Sequence, residues 1–359
     1  MQAYFISKAE LTALISSLLK DSTVVAPVSF QGKNILQPIN EGNAGDVNLS
    51  GYRTIEPFKS FLFKITEKVA GYFTADQPAP GKKLVFLGVR GCDLEALEVY
   101  DKVLGEGEFA DPSYLANRQD ILLIGADCTD CGPTCFCAMV GGRPFPYQLF
   151  DLNLSPVAGG YVAEARTEKG ERLIALFNKA SDEQLNEKDK IRQQVSAKLE
   201  ANNQEYKCRC TINWEEAHKI NLENTKAWQT ITKDCVECSA CNFICPTCTC
   251  FLLLDEGDEG QGARDKGQGS EGAFVRHKVW DACLKNGYAR VAGGANSRPK
   301  LYERLQNRYH CKFDYSFDRL GRYTCVGCGR CIDGCAGNID MRKVYAELVR
   351  QVPLTAKLE

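Results

Sequence analysis

Cys235, Cys238, Cys241 and Cys245, with Pro246 behind them, stand in the spacing C-x2-C-x2-C-x3-C-P. That pattern suits iron chemistry. Three thiolates on one tight turn reach three irons of a [4Fe–4S] cube, and the fourth, carried away on a short helix, reaches a second cube. A second run follows the same rule at Cys325, Cys328, Cys331 and Cys335. Together they predict two [4Fe–4S] clusters with exchanged fourth ligands. Cluster I takes Cys235, Cys238, Cys241 and Cys335; cluster II takes Cys325, Cys328, Cys331 and Cys245. Structural zinc is the plain alternative, but zinc sites usually pair two C-x2-C knuckles across a longer gap or mix Cys with His. Ala336 replaces the proline after the last Cys. That proline shapes the turn and supplies no ligand, so both cubes are expected.

The amino-terminal half holds a second concentration of thiols. Cys92 follows the apolar run Leu84–Val89, and Cys128 follows Ile121–Ala126, with Cys131, Cys135 and Cys137 close behind. If the two runs are parallel neighbours in one sheet, their carboxyl ends share an edge, where ligands of open α/β sheets collect. A third [4Fe–4S] cluster held by four of these five is the expectation; a zinc site, or small buried hydrophobes, are its alternatives. Cys248, Cys250, Cys283 and Cys311 admit a fourth metal site but read more readily as packing around the clusters. Cys208 and Cys210 are read as incidental. With only His218, His277 and His310 in the chain, no histidine-rich centre is expected.

The elements that position these thiols follow from hydrophobic patterning. Ser7 and Glu10 form a capping box ahead of Leu11, Leu14, Ile15, Leu18 and Leu19 at helical spacing. Leu84–Leu87 and Ile121–Ile124 read as buried strands, with a helix from Leu94 after the first, an α/β pattern. Ser181–Glu200 is a charged helix with Leu185, Ile191, Val195 and Leu199 along one side. The expected fold class is α+β in two domains: an α/β domain over 1–204, then a mostly helical ferredoxin-type dicluster domain over 205–359 with a long insert, 246–324. Asp255–Gly272 is glycine-rich and polar and reads as a mobile surface loop.

Composition narrows the setting. A chain of 359 residues with net charge −2 and 44% hydrophobic residues is an ordinary globule with room for two cores. Nineteen Cys would suit a secreted disulfide protein. However, Met1–Glu10 lacks a basic region followed by an apolar core, so no signal peptide is expected. The apolar stretches are too short to span a bilayer. A cytoplasmic protein of anaerobic metabolism, its thiols held by iron, is the expectation. Between Lys285 and Arg322 stand nine Lys or Arg against three acidic residues. This reads as a basic collar that tunes the cubes or steers an acidic partner, or as a solvated face. Nucleic acid is not expected, because interleaved aromatics are few and the overall charge is slightly acidic.

Several segments resemble a known family: Val89-Arg-Gly-Cys-Asp-Leu94, Cys135-Phe-Cys137, Cys245-Pro-Thr-Cys-Thr-Cys250, Trp280-Asp-Ala-Cys283, Ala292–Pro299 and Tyr323–Cys331. They look like the iron–sulfur β subunit of archaeal sulfhydrogenases. One of the subunits of anaerobic sulfite reductase belongs to the same family, as does the iron–sulfur subunit of flavin oxidoreductases coupled to heterodisulfide reductase. The resemblance runs from about Leu84 to Ile339. It implies an electron-transfer subunit beside a flavoprotein that binds FAD and NAD(P)H, with FAD in that partner and not in this chain. It also implies a terminal hydrogenase, sulfite reductase or heterodisulfide reductase-type subunit. Finally, it favours Cys92, Cys128, Cys135 and Cys137 as the third ligand set, with Cys131 an extra. The residues themselves offer no P-loop, no G-x-S-x-G and no G-x-G-x-x-G after a strand. No catalytic residue is therefore assigned, and catalysis is expected in other subunits. The alternative is a stand-alone reductase with a substrate-binding cluster in the amino-terminal domain.

Overall fold

The computed structural model describes residues 2–71, 83–209, 225–257 and 274–350. The amino-terminal elements are β1 (Ala3–Ser7), α1 (Lys8–Leu18), β2 (Thr23–Phe30), β3 (Lys33–Pro38), α2 (Lys59–Leu62) and β4 (Thr66–Gly71). Next come β5 (Leu84–Val89), α3 (Gly91–Leu104), α4 (Pro112–Arg118), β6 (Ile121–Ala126), β7 (Leu152–Val157) and β8 (Gly160–Ala165). They are followed by α5 (Glu168–Ile174), β9 (Asn178–Lys179) and α6 (Asp182–Arg209). Ser7 caps α1 as its sequence requires: its hydroxyl accepts from the Glu10 N–H at 3.3 Å, and the Glu10 carboxylate accepts from the Ser7 N–H at 2.8 Å.

Eight strands form one mixed sheet in the order β3-β2-β5-β6-β7-β8-β1-β9. β2, β5, β6 and β7 run parallel, and the strands flanking them are antiparallel. Their apolar runs are continuous because both faces are covered. Val85 and Leu87 pack with Leu11 and Ile15 of α1, whereas Phe86 and Val89 pack with Leu62, Leu94, Leu97 and Tyr114 on the opposite side. The parallel adjacency of β5 and β6 puts both carboxyl ends on one edge, and a bulge between Leu87 and Val89 reshapes the end of β5.

The carboxyl-terminal half adds α7 (Thr225–Ile231), α8 (Ala240–Phe243), β10 (Phe251–Gly257), β11 (Phe274–Trp280) and α9 (Leu301–Tyr309). It closes with α10 (Tyr315–Leu320), α11 (Arg330–Asp333) and α12 (Met341–Arg350). Trp228, Leu305, Tyr309, Phe313 and Tyr345 make its core, with Trp228 and Tyr309 rings 5.0 Å apart. Two expectations need amendment. The insert between the cysteine runs builds strands as well as helices, and β10-β11-β4 is a second sheet that joins it to the amino-terminal half. The loop expected from Asp255 also begins later, because Asp255–Gly257 pair with Phe274–Arg276; residues 258–272 of that loop lie outside the described residues. Residue 205 falls inside α6.

Candidate iron–sulfur centre

The two cysteine runs fold alike. In the first, Glu237 and Ser239 take positive φ (57° and 61°); the equivalent positions of the second are Gly327 and Gly329 (62° and 74°). These left-handed residues turn the backbone so that three thiols of each run face one hollow, at a cost of about 1–2 kcal/mol where the residue is not glycine. A single turn of helix, α8 or α11, stands within each run ahead of its last cysteine, and the two turns contact each other. Each turn carries its last cysteine across to the other run. Cys335 joins Cys235, Cys238 and Cys241 around one cavity walled by Leu284, Leu305, Tyr309, Ile339 and Met341. Cys245 joins Cys325, Cys328 and Cys331 around a second, walled by Phe136, Val326 and Met341. Cys331 lines both.

A third cavity lies at the carboxyl edge of the large sheet. Cys92, at the start of α3, and Cys128, just past β6, line it together with Cys131, Cys135 and Cys137. All five amino-terminal thiols are therefore gathered, Cys131 included. α6 forms part of the cover, with Ile191, Val195 and Leu199 packed on Cys131, Cys135 and Cys137. The second cysteine run forms another part of the wall through Gly327 and Cys328. Here glycine is obligatory. A Cβ on Gly327 would lie 2.5 Å from the Cys137 Cα, and one on Gly329 would lie 2.3 Å from the Thr134 carbonyl. The Phe136 N–H donates to the Gly327 carbonyl at 2.8 Å.

Buried charge holds this seam. Arg330, fully buried, donates to both Asp93 carboxylate oxygens at 2.8 and 2.9 Å, and its Nε reaches the carbonyls of Thr54 and Ile55. Arg53 donates to the Cys328 carbonyl and pairs with Asp333, which also accepts from Thr134 Oγ1 at 2.7 Å. Arg90 donates to the carbonyls of Ala126, Asp127, Leu49 and Ser50 beside Cys128. Burial pushes the thiols up, Cys128 and Cys331 to about 12 and Cys131 to about 11, with Arg90 opposing the rise at Cys128 and Arg308 at Cys331. A buried thiol of this kind gives up its proton to a metal more readily than to water.

The donor set fits iron–sulfur clusters. Each cavity is lined by thiols and apolar side chains, with arginine nearby to offset negative charge. Among the described residues, no group of three or more His, Cys, Asp or Glu is placed to hold a single metal ion. Of the remaining cysteines, Cys248 and Cys283 flank the Asn242 amide, Cys250 stands at the base of the β10–β11 hairpin, and Cys311 is exposed. The Cys208 side chain, Cys210 and His218 lie outside what is described. His277 and His310 pair with Glu256 and Asp314. Three residues of the expected basic collar, Arg304, Arg308 and Lys312, are buried. Sequence reasoning passed over Lys59, Arg53 and Asn242, which no motif signals. No helix among the described residues is long and apolar enough to cross a membrane.

Residues 234–339 match a family model described as a 4Fe-4S dicluster domain. That match supports iron–sulfur clusters in this part of the chain. The chain is a homologue of Sulfhydrogenase 2 subunit beta of Pyrococcus furiosus, 28% identical over 334 residues, covering 90% of this chain and 92% of that one. No solved structure matches it.

Proposed function

We propose that this chain is the iron–sulfur electron-transfer subunit of a multi-subunit oxidoreductase. In this reading it relays single electrons between a flavoprotein partner that binds FAD and NAD(P)H and a terminal subunit of hydrogenase, sulfite reductase or heterodisulfide reductase type. Cys235, Cys238, Cys241 and Cys335 would hold one [4Fe–4S] cluster, and Cys325, Cys328, Cys331 and Cys245 a second. Cys92, Cys128, Cys135 and Cys137 would hold a third, with residues 1–204 and 205–359 as the two working halves. The relative named above is by its name part of a sulfhydrogenase, and this chain is assigned a place in a comparable assembly.

One observation carries the reading. The three thiol-lined cavities share walls, the first and second through Cys331 and the second and third through Cys328. When bound, each cluster supplies a one-electron site whose net charge stays negative in both states. The chain's own residues do the rest. Apolar walls exclude water, and Arg308 and Lys312 offset charge at the second cavity. The Arg330–Asp93 pair fixes the third cavity against the second.

The test is anaerobic purification of the full chain with assay of iron and acid-labile sulfide. About twelve of each per chain are expected, at four per cube, with low-temperature paramagnetic signals on reduction. Addition of NAD(P)H with a co-purifying flavoprotein should bleach the visible absorbance. Zinc in place of iron, or no reduction by any such flavoprotein, would sink the proposal.

A further inference from the structure

Cys248, Cys250 and Cys283 line none of the three cavities, yet they converge. Cys250 stands immediately before β10, Cys283 lies just beyond β11, and the base of the hairpin is closed by the Asp281 N–H on the Cys250 carbonyl at 3.0 Å. The Asn242 side chain, 1% exposed, points its amide nitrogen at two of the three sulfurs, 3.2 Å from Cys283 and 3.8 Å from Cys248. Cys250 is brought to the same end of the hairpin by the pairing of its neighbour Phe251 with Trp280. An amide nitrogen can only donate, so the Cys248 and Cys283 sulfurs act as acceptors, a weak role for a neutral thiol and a strong one for a thiolate.

Three buried cations stand around the same segment: Lys59, Arg308 and Lys312, only 4%, 3% and 2% exposed. None pairs with a carboxylate among the described residues. Lys59 Nζ meets the carbonyls of Asn242 and Cys248 at 3.5 and 3.3 Å, and Lys312 Nζ meets Thr247 O and Oγ1 at 3.1 and 2.7 Å. Arg308 reaches the Cys241 carbonyl at 3.1 Å, and its Nε has no partner. Burying such charges without an anion costs several kcal/mol each. Arg308 and Lys312 line the cavity of Cys245, Cys325, Cys328 and Cys331, so a cluster there would compensate them; Lys59 does not line it. Its Nζ instead lies 4.2 Å from the Trp280 ring centroid and on the carbonyl of Cys248.

We propose that Cys248, Cys250 and Cys283 hold an additional iron–sulfur cluster with three cysteine ligands, hydrogen-bonded by Asn242 and charge-compensated by Lys59. Exposed Cys311 takes no part. The proposal rests on the chain being an iron–sulfur protein but not on the assignment of the other thiols.

The full chain and its Cys248→Ala/Cys250→Ala/Cys283→Ala variant are reconstituted anaerobically with ferrous iron and sulfide. The variant should hold about four fewer irons per chain and lack one paramagnetic signal, the others remaining. Equal iron and identical spectra overturn the proposal. If the triple variant does not fold, Cys283→Ala alone decides: loss or conversion of one signal supports the site, and an unchanged spectrum overturns it. A parent chain that binds no iron defeats the proposed function itself, whereas an iron-loaded parent matched by its variant defeats only this inference.

Discussion

The carboxyl-terminal cysteine runs and the amino-terminal sheet edge gather thiols by opposite means. In the runs, order comes from backbone turns of a few residues, with single-turn helices α8 and α11 and positive φ at Glu237, Ser239, Gly327 and Gly329. At the sheet edge, Cys92 and Cys128 are aimed by β5 and β6, whose apolar side chains pack into cores on both faces of the sheet. A site made of turns borrows its rigidity from what it binds, whereas a site at a strand end inherits rigidity from the sheet.

Removing iron with a chelator under reducing conditions would test that contrast most severely. Amide hydrogen exchange across 235–250 and 325–340 should accelerate by orders of magnitude, because little regular structure remains there and Arg308 and Lys312 lose their counter-charge. β5 and β6 should stay protected; equal loss in both regions would refute the contrast. A smaller effect is expected where the two regions are bolted together. Arg330→Met strands Asp93 in the interior, so the guanidinium unfolding midpoint should fall by the equivalent of about 3–5 kcal/mol. An unchanged midpoint would mean the seam contributes little. The smallest effect sits at the rim of the third cavity. Lys198 and Asp130 pair at 2.6 Å but are about half exposed. The Lys198 ammonium holds the Asp130 carboxyl below its usual value, so any stabilisation is present above the unfolded carboxyl pKa and vanishes as pH falls through the lowered one. Lys198→Gln should leave the midpoint at neutral pH unchanged in moderate salt; a clear drop would make this rim part of the site's support.

The two regions also differ in how openly the sequence displayed them. The spacing of Cys235–Cys245 and Cys325–Cys335 is a local geometric instruction, so the gathering of those thiols could be read directly. β5 and β6 were legible because a strand buried on both faces is apolar throughout. β1, β8 and β9 were not, since short strands at an antiparallel flank carry no such run, and in β7 Asn153, Ser155 and Pro156 interrupt it. β4 escaped for another reason: its partner β11 lies some two hundred residues away, and no local pattern records that pairing. Buried cations were the least legible. Lys59, Arg330 and Lys312 look like surface residues in composition, and the basic stretch from Lys285 read as a collar although Arg304, Arg308 and Lys312 turn inward.

The contact of Gly327 and Gly329 with Thr134–Cys137 bears on biogenesis. A ribosome delivers the thiols of the sheet edge well before Gly327–Gly329, which wall their cavity. The cavity at the sheet edge is therefore closed only after the second cysteine run has emerged. A truncated product would leave those thiols open to solvent and oxidant.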